Sequence, residues 1–386
     1  MPNNDSISKP MYEKIYEAIR ERIVSGQYKT GERVPSEKEL CDEFSVSRIT
    51  SKRALEMLTN EGYIIRQPGR GSFVNETMRE PAAAGTAAVL LPERNRTGKL
   101  LIGLVITNFD ESYGMELIYG MEEAARENHC FLVLRRTFGI QSYEEEAIQE
   151  LLELGVDGMI IFPAQGEFFN AEILKLVISQ FPFVLVDRYL KGLSASSISS
   201  DNILAAKEAA KYLFDLGHKH VAFITQPFDN TTAIEERIEG FIEAHEERGI
   251  VVERELWLEN IASSVPNNFD LEAREKDIQI IVEHLRNNPK ITAVFAVEYK
   301  IAELVYEAVE RLQLSVPDDL SILCFDSPKI YSPPYFTYVM QNQIEMGRRA
   351  IESIIKLLHH ESVPGKTTLP TKLVVGRTTA PPRTNL

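Results

Sequence analysis

Apolar residues recur at helical spacing near the start of the chain. Tyr12, Ile15, Ile19, Ile23 and Val24 fall on one face, which predicts a helix from about Met11 to Ser25, with Gly26 and Gly31 as breakers. In the following stretch, SEKELCDEFSVSRITSKR, Ser36 can cap a helix and Glu39 can reach back to it, a capping box opening a short helix that runs to Phe44. After the corner Phe44-Ser45-Val46, Ser47 can cap a second helix. Ser51, Ala54, Leu55 and Leu58 form its buried stripe, while Arg48, Lys52 and Arg53 fall nearer the open side, and Gly62 closes it. GYIIRQPGRGSFV then reads as two strands around Pro68-Gly69-Arg70-Gly71, a hairpin whose tip carries one cation and little bulk.

The pattern changes after residue 75. Residues 76–98 hold no sustained period and are rich in Ala, Pro and Gly, as a linker is. From Lys99 onward short apolar runs (LLIGLVITN, FLVLRRT, GMIIFP, FVLVDR, HVAFIT, AVFAV, SILCFD) alternate with helical patterns such as 115–128, 203–216, 234–249 and 300–313. That alternation predicts an α/β fold of parallel sheets covered by helices. Nearly 290 residues are more than one sheet comfortably holds, so two lobes with a cleft between them are expected.

Composition narrows the classes. Of the 386 residues 44% are hydrophobic and 26% charged, which is ordinary globular material. No run of 18 apolar residues occurs and MPNNDSISKP lacks a basic-then-apolar leader pattern, so a cytoplasmic location and no membrane partner are expected. Cys41, Cys130 and Cys324 lie far apart without metal-ligand spacing, and His218 and His220 in GHKH read as part of a structural turn; no metal, cofactor or disulfide framework is expected. Trp257 stands in an acidic, surface-like context. The net charge of −15 argues against a chain that binds polyanions over its whole length. The charge is unevenly placed, however: between Phe44 and Asn75 five cations (Arg48, Lys52, Arg53, Arg66, Arg70) face two carboxylates (Glu56, Glu61).

A local cationic excess on a capped helix behind a tight corner is what DNA reading requires, because an α-helix fits the major groove only when something braces its angle. The hairpin tip behind it would form the wing of a winged helix-turn-helix. Residues 10–75, with P-S-E-x-x-L, V-S-R-x-T, A-L-x-x-L and G-x-G-x-F-V, resemble the GntR-type winged-helix domain over its whole length. The resemblance implies double-stranded operator DNA as partner and puts Lys38, Ser47, Arg48, Thr50 and Lys52 at DNA-facing positions. Arg53 belongs with them on the open side of the helix, and Gly69, Arg70 and Gly71 at the wing tip. Lys52 stands where Arg is common, without its bidentate reach, and Pro68 removes a backbone donor near the tip.

Residues 99–380 resemble the effector-binding and dimerisation domain of the LacI/GalR family, itself similar to periplasmic sugar-binding proteins. The matching pieces include LLELGVDGMIIFP, VLVDR, SSDNILAAKEAAKYLFDLGHKHVAFI, RIEGFIEAHEERGI, SILCFDS and LPTKLVVGRTT. A GntR-type head on such a domain resembles the arabinose repressors of Gram-positive bacteria. It implies a homodimeric repressor on a pseudo-palindromic operator, released by a small sugar such as L-arabinose. At the positions matching the family's pocket stand Glu111, Tyr113, Asp187, Arg188, Arg237, Glu298, Asp326 and Gln341. The resemblance gives Tyr113 as the aromatic packing on the sugar, Asp187 and Arg188 as a pair toward adjacent hydroxyls, and Glu298 where an Asn is usual. Three rival readings remain: a PLP-dependent or other enzyme with a GntR-like head, a transport binding protein, and a scaffold. A regulator of a different sugar or of a non-sugar small molecule is the nearer variant.

Overall fold

The computed structural model describes residues 11–75, apart from 26, 30, 45, 61–62 and 68–70, and residues 99–383, apart from 165–169, 229–230, 266–269 and 330–333. The chain divides into two compact units, residues 1–87 and 88–386.

The first unit is built from α1 (Met11–Val24), α2 (Glu37–Phe44), α3 (Arg48–Asn60) and the antiparallel strands β1 (Ile64–Gln67) and β2 (Gly71–Val74). Ile15, Ile19 and Ile23 of α1 bury against Leu40 of α2, Ala54, Leu55 and Leu58 of α3, and Ile64 and Val74 of the hairpin. The capping box is present: the Ser36 N–H donates to Glu39 Oε2 (2.7 Å) and the Glu39 N–H to Ser36 Oγ (3.3 Å). Buried Ser51 donates to the Arg48 carbonyl (3.1 Å) and lies 3.2 Å from Cys41 Sγ, tying α3 to α2. The corner residue Ser45, the tip residues Gly69 and Arg70, and the linker 76–98 lie outside the described residues.

The second unit contains two sheets. In the first lobe β3 (Leu101–Ile106), α4 (Met115–Glu127), β4 (Phe131–Arg136), α5 (Gln141–Leu154), β5 (Gly158–Ile161), α6 (Ala171–Ile178), β6 (Phe183–Val186) and β7 (Ser196–Ser200) follow one another. The chain then enters the second lobe through α7 (Asn202–Asp215), β8 (Val221–Ile224), α8 (Thr232–Arg248), α9 (Leu271–Asn287), β9 (Ala293–Ala296), α10 (Tyr299–Arg311), β10 (Ser321–Phe325) and β11 (Thr337–Met340). It returns as α11 (Gln343–Leu358) and β12 (Lys366–Leu369) and crosses once more into β13 (Lys372–Val374). The first sheet is parallel throughout, in the order β12-β7-β6-β5-β3-β4. The second runs β13-β11-β10-β9-β8, with β13 alone antiparallel.

Helices cover both faces of the first sheet: α4 and α11 contribute to one buried cluster, α5 and α6 to the other. α4 meets α11 backbone to backbone, since a Cβ at Gly120 would sit 2.0 Å from the Ile344 carbonyl oxygen and one at Gly347 2.2 Å from that of Leu117. In the second lobe α8 approaches α7 the same way, Gly240 against the Ile203 carbonyl. Trp257 is a correction to the sequence reading. It is 7% exposed, with the Phe223 ring 4.9 Å away and the Arg254 guanidinium 4.0 Å over its own ring, so it closes the core of the second lobe.

Candidate functional site

The C-terminal ends of strands from both lobes face a cavity of about 370 Å³, within the range of small-molecule sites. After β3, Asp110 Oδ1 accepts from the Ser112 N–H (2.9 Å), the Ser112 hydroxyl (2.5 Å) and the Tyr113 N–H (3.3 Å). Gly114 closes this turn with φ 94°, where a Cβ would meet that of Phe109 at 2.6 Å, and its N–H donates to Gln343 Oε1 (2.8 Å). The turn aims Asp110, Ser112 and Tyr113 into the cavity and leaves Glu111 exposed outside it. The expectation for Glu111 is therefore corrected: the carboxylate at this edge is its neighbour Asp110.

Asp187 after β6 and Asp326 after β10 occupy equivalent places in the two lobes. Both adopt left-handed backbone (φ 69° and 58°), which aspartate tolerates. In each case the N–H donates to the next strand of the sheet, to the Ile198 and Val339 carbonyls. Both side chains are thereby turned into the cavity. Asp187 accepts from the Tyr113 hydroxyl and lies 3.5 Å from Arg188 Nε. Burial, then the Asp187 charge, pushes the Tyr113 phenol well above its ordinary value. Asp326 accepts from Gln341 Nε2 (2.7 Å), and Gln341 Oε1 accepts from the Ser200 hydroxyl (2.6 Å). Burial raises the Asp326 carboxyl to about 7, against the opposing pull of Arg237.

Arg237, in the second turn of α8, is fixed on three sides. Its Nε donates to Asn202 Oδ1 (3.0 Å), its Nη1 to the Val297 carbonyl (2.7 Å), and its plane lies 3.8 Å over Phe325. Arg188 lies 4.7 Å over the Phe162 ring, which Tyr113 meets edge-on at 6.2 Å. Burial raises the Glu298 carboxyl. Among the described residues, three cavity-lining polar atoms are buried without a protein partner: Arg188 Nη1 from the first lobe, and Thr231 Oγ1 and Glu298 Oε1 from the second. Buried donors and acceptors of this kind are costly unless a ligand pairs them. With aromatic rings and paired guanidinium and carboxylate groups, the cavity can hold a compact, hydroxyl-rich molecule.

Tyr113, Asp187, Arg188, Arg237, Glu298, Asp326 and Gln341 all line this cavity. Sequence reasoning missed Phe162, although an aromatic at the end of GMIIFP was a usable signal. It also missed Asn202, whose partnership with Arg237 has no trace in spacing. Tyr113, expected as a packing face, lines the cavity and also donates through its hydroxyl to Asp187, and Phe162 supplies a neighbouring ring. His218 bonds to Thr292 Oγ1 and the Ala380 carbonyl (both 2.9 Å), whereas His220 pairs with Glu253 (2.6 Å). The two rings thus serve different structural contacts. Among the described residues no group of three or more His, Cys, Asp or Glu side chains could hold a metal ion.

In the first unit Lys38, Ser47, Arg48, Lys52 and Arg53 are exposed and Thr50 is half-buried. The Ser47 and Thr50 hydroxyls bond to each other (2.9 Å) while the Thr50 N–H reaches Ser47 Oγ (3.4 Å), so this pair opens α3. Arg53 stacks over Tyr12 at 4.1 Å and braces α3 against α1. Gly71 has φ 116°, and a Cβ there would meet Arg33 Nε at 3.1 Å.

Residues 11–74 match the bacterial regulatory proteins of the gntR family, and residues 210–379 match the periplasmic binding protein-like domain. The chain is 27% identical over 362 residues to an arabinose metabolism transcriptional repressor of Geobacillus stearothermophilus, covering 92% of this chain and 93% of the relative. It is 26% identical over 380 residues to a protein of the same name from Halalkalibacterium halodurans, covering 96% of each. The crystal structure of the transcription regulator CcpA of Lactococcus lactis superposes with a TM-score of 0.63 at 22% identity, over 73% of this chain and 99% of that one, a likeness of fold.

Proposed function

We propose that this chain, which joins a GntR-type DNA-binding domain to a periplasmic-binding-protein-like domain, is a sugar-responsive transcriptional repressor that lets go of operator DNA when a small sugar, L-arabinose foremost, fills the inter-lobe cavity. The observation that carries the reading is the set of buried atoms from both lobes that have no partner among the described residues, Arg188 Nη1 against Thr231 Oγ1 and Glu298 Oε1. A ligand that pairs both groups favours whichever lobe arrangement brings them together. It can shift that equilibrium only by its differential affinity for the two arrangements.

Neutral sugars suit the chemistry. Vicinal hydroxyls donate to Asp187, Asp326 and Glu298 and accept from Arg188 and Arg237, while C–H faces lie against Phe162. An analogue lacking a hydroxyl leaves one of these groups unpaired, which is how such a site discriminates. The names of the two relatives quoted above support L-arabinose, and the carboxylate at Glu298 is where another sugar would be selected. At the DNA end, the exposed cations Arg48 and Lys52 on α3 and Lys38 on α2 would meet phosphates and base edges, joined by Arg70, which lies outside the described residues. Two such heads in a homodimer would read the two halves of a pseudo-palindromic operator. Among the described residues no helix is long and apolar enough to cross a membrane.

The test is titration of L-arabinose against the operator complex of the parent and of Arg237→Ala. The parent should release DNA, with a coupling of about 1–3 kcal/mol appearing equally in sugar and operator affinity. Arg237→Ala should keep operator binding and lose the response. Release in both proteins, or in neither, removes L-arabinose and this pocket from the reading.

A further inference from the structure

The two lobes meet through lysine–carboxylate pairs at both ends of the cleft. At the β3 end, Asp110 Oδ2 lies 3.0 Å from Lys300 Nζ, and Glu116 accepts from Lys329 Nζ at 2.7 Å through both oxygens. At the other end, where β6, β7 and β12 lie side by side, Lys191 is 2.7 Å from Glu235 and Lys366 2.6 Å from Glu236. There Thr232 Oγ1 also accepts from the Tyr189 N–H and donates to its carbonyl, and Lys366 sits 4.3 Å over the Tyr189 ring. The polarity inverts between the ends. The first lobe presents carboxylates at the β3 end and lysines at the other, and the second lobe presents the complement.

We infer that these opposed rims form an electrostatic latch that holds the lobes together in one register and sets the open–closed balance of the domain before any effector binds. Inverted polarity makes the register unique: a lobe rotated to bring unlike ends together would set lysine against lysine and carboxylate against carboxylate. Single exposed ion pairs contribute little, but several closing together add, and salt screens them. Three of the four pairs, Glu116–Lys329, Lys191–Glu235 and Lys366–Glu236, use side chains that do not line the cavity, so the latch can be weakened at Glu116–Lys329 without touching the ligand contacts. The latch rests on the two-state reading given above for the effector but operates without the sugar, and its test is independent of the ligand.

Spin labels at Ile178→Cys in the first lobe and Val251→Cys in the second, both strongly exposed positions, would report lobe separation in a Cys41→Ser background. The ligand-free full chain should lose roughly two- to fivefold of its closed-to-open ratio between 50 and 500 mM KCl, as expected for a few partly screened pairs. Glu116→Lys and Lys329→Glu should each open the domain at low salt, and the double reversal should restore it. Distance distributions unchanged by salt and by both single reversals overturn the latch. If salt and reversals act while L-arabinose moves nothing, the latch stands and the effector reading falls.

Discussion

Asp326 shows how burial sets chemistry at a single position. Its carboxyl, raised to about 7 mainly by burial, is faced by Arg237 of α8, Asp187 after β6, Gln341 at the second crossing and the Tyr113 phenol, with Tyr338 on the flanking strand β11 and Cys324 on its own strand β10. Between its unfolded value of 3.8 and about 7 the folded state holds the extra proton. This group's contribution to stability is therefore present at low pH and lost as pH rises through the upper value. A hydroxyl donating to the carboxylate favours the ionised form. Binding of the proposed effector L-arabinose at pH 7 should thus release a fraction of a proton, and affinity should rise between pH 6 and 8. Calorimetry in buffers of different ionisation enthalpy reads the proton directly, and Asp326→Asn should abolish it. A release that persists in Asp326→Asn assigns the proton elsewhere.

Among the elements, the helices were legible wherever caps and periodicity agreed. Ser36 with Glu39 and the stripe through Ser51, Ala54, Leu55 and Leu58 specified α2 and α3 locally, and the structure keeps each of those contacts. β7 was not legible. Its sequence SSISS has neither alternation nor an apolar run, yet Ser197, Ser199 and Ser200 are buried because the strand lies between β6 and β12. The glycines of the helix pairs were equally silent in the sequence. Gly120→Ala would force α4 away from α11, since no side chain can yield where the obstacle is the Ile344 carbonyl. The expected loss is about 1–3 kcal/mol, typical of overpacking. It should appear as a lower melting temperature of the larger unit, with the transition of the first unit unmoved. An unchanged melting temperature would mean that the two helices part at no cost.

At the scale of the whole molecule, an acidic chain of net charge −15 must bind DNA through a small cationic surface. Few phosphate contacts imply a modest salt slope for each head, and the proposed homodimer would add a second head to the affinity. Arg48→Ala, which removes an exposed cation from the first turn of α3, should weaken operator binding and lower the log–log salt slope by roughly one for each phosphate the arginine neutralises. Gel-shift titrations at several KCl concentrations provide the slope. Parent-like affinity and slope for Arg48→Ala would show that α3 does not dock by its N-terminal end.

What the sequence determined by itself was local or periodic. The capped helices at the N-terminus, the alternation of apolar runs with helical patterns, and the strand ends carrying Asp187 and Asp326 all depend on neighbours a few residues away, so their signal survives in one dimension. Only the tertiary structure decided which side chains share a volume. Arg237 is aimed by Asn202, 35 positions earlier, and stacked on Phe325, far along the chain. Asp110 rather than Glu111 enters the cavity because a turn closed by Gly114 rotates the loop. The lysines of one lobe find carboxylates of the other because the chain crosses between them three times. Such pairings follow from the path of the backbone through space, and no spacing along the chain encodes it.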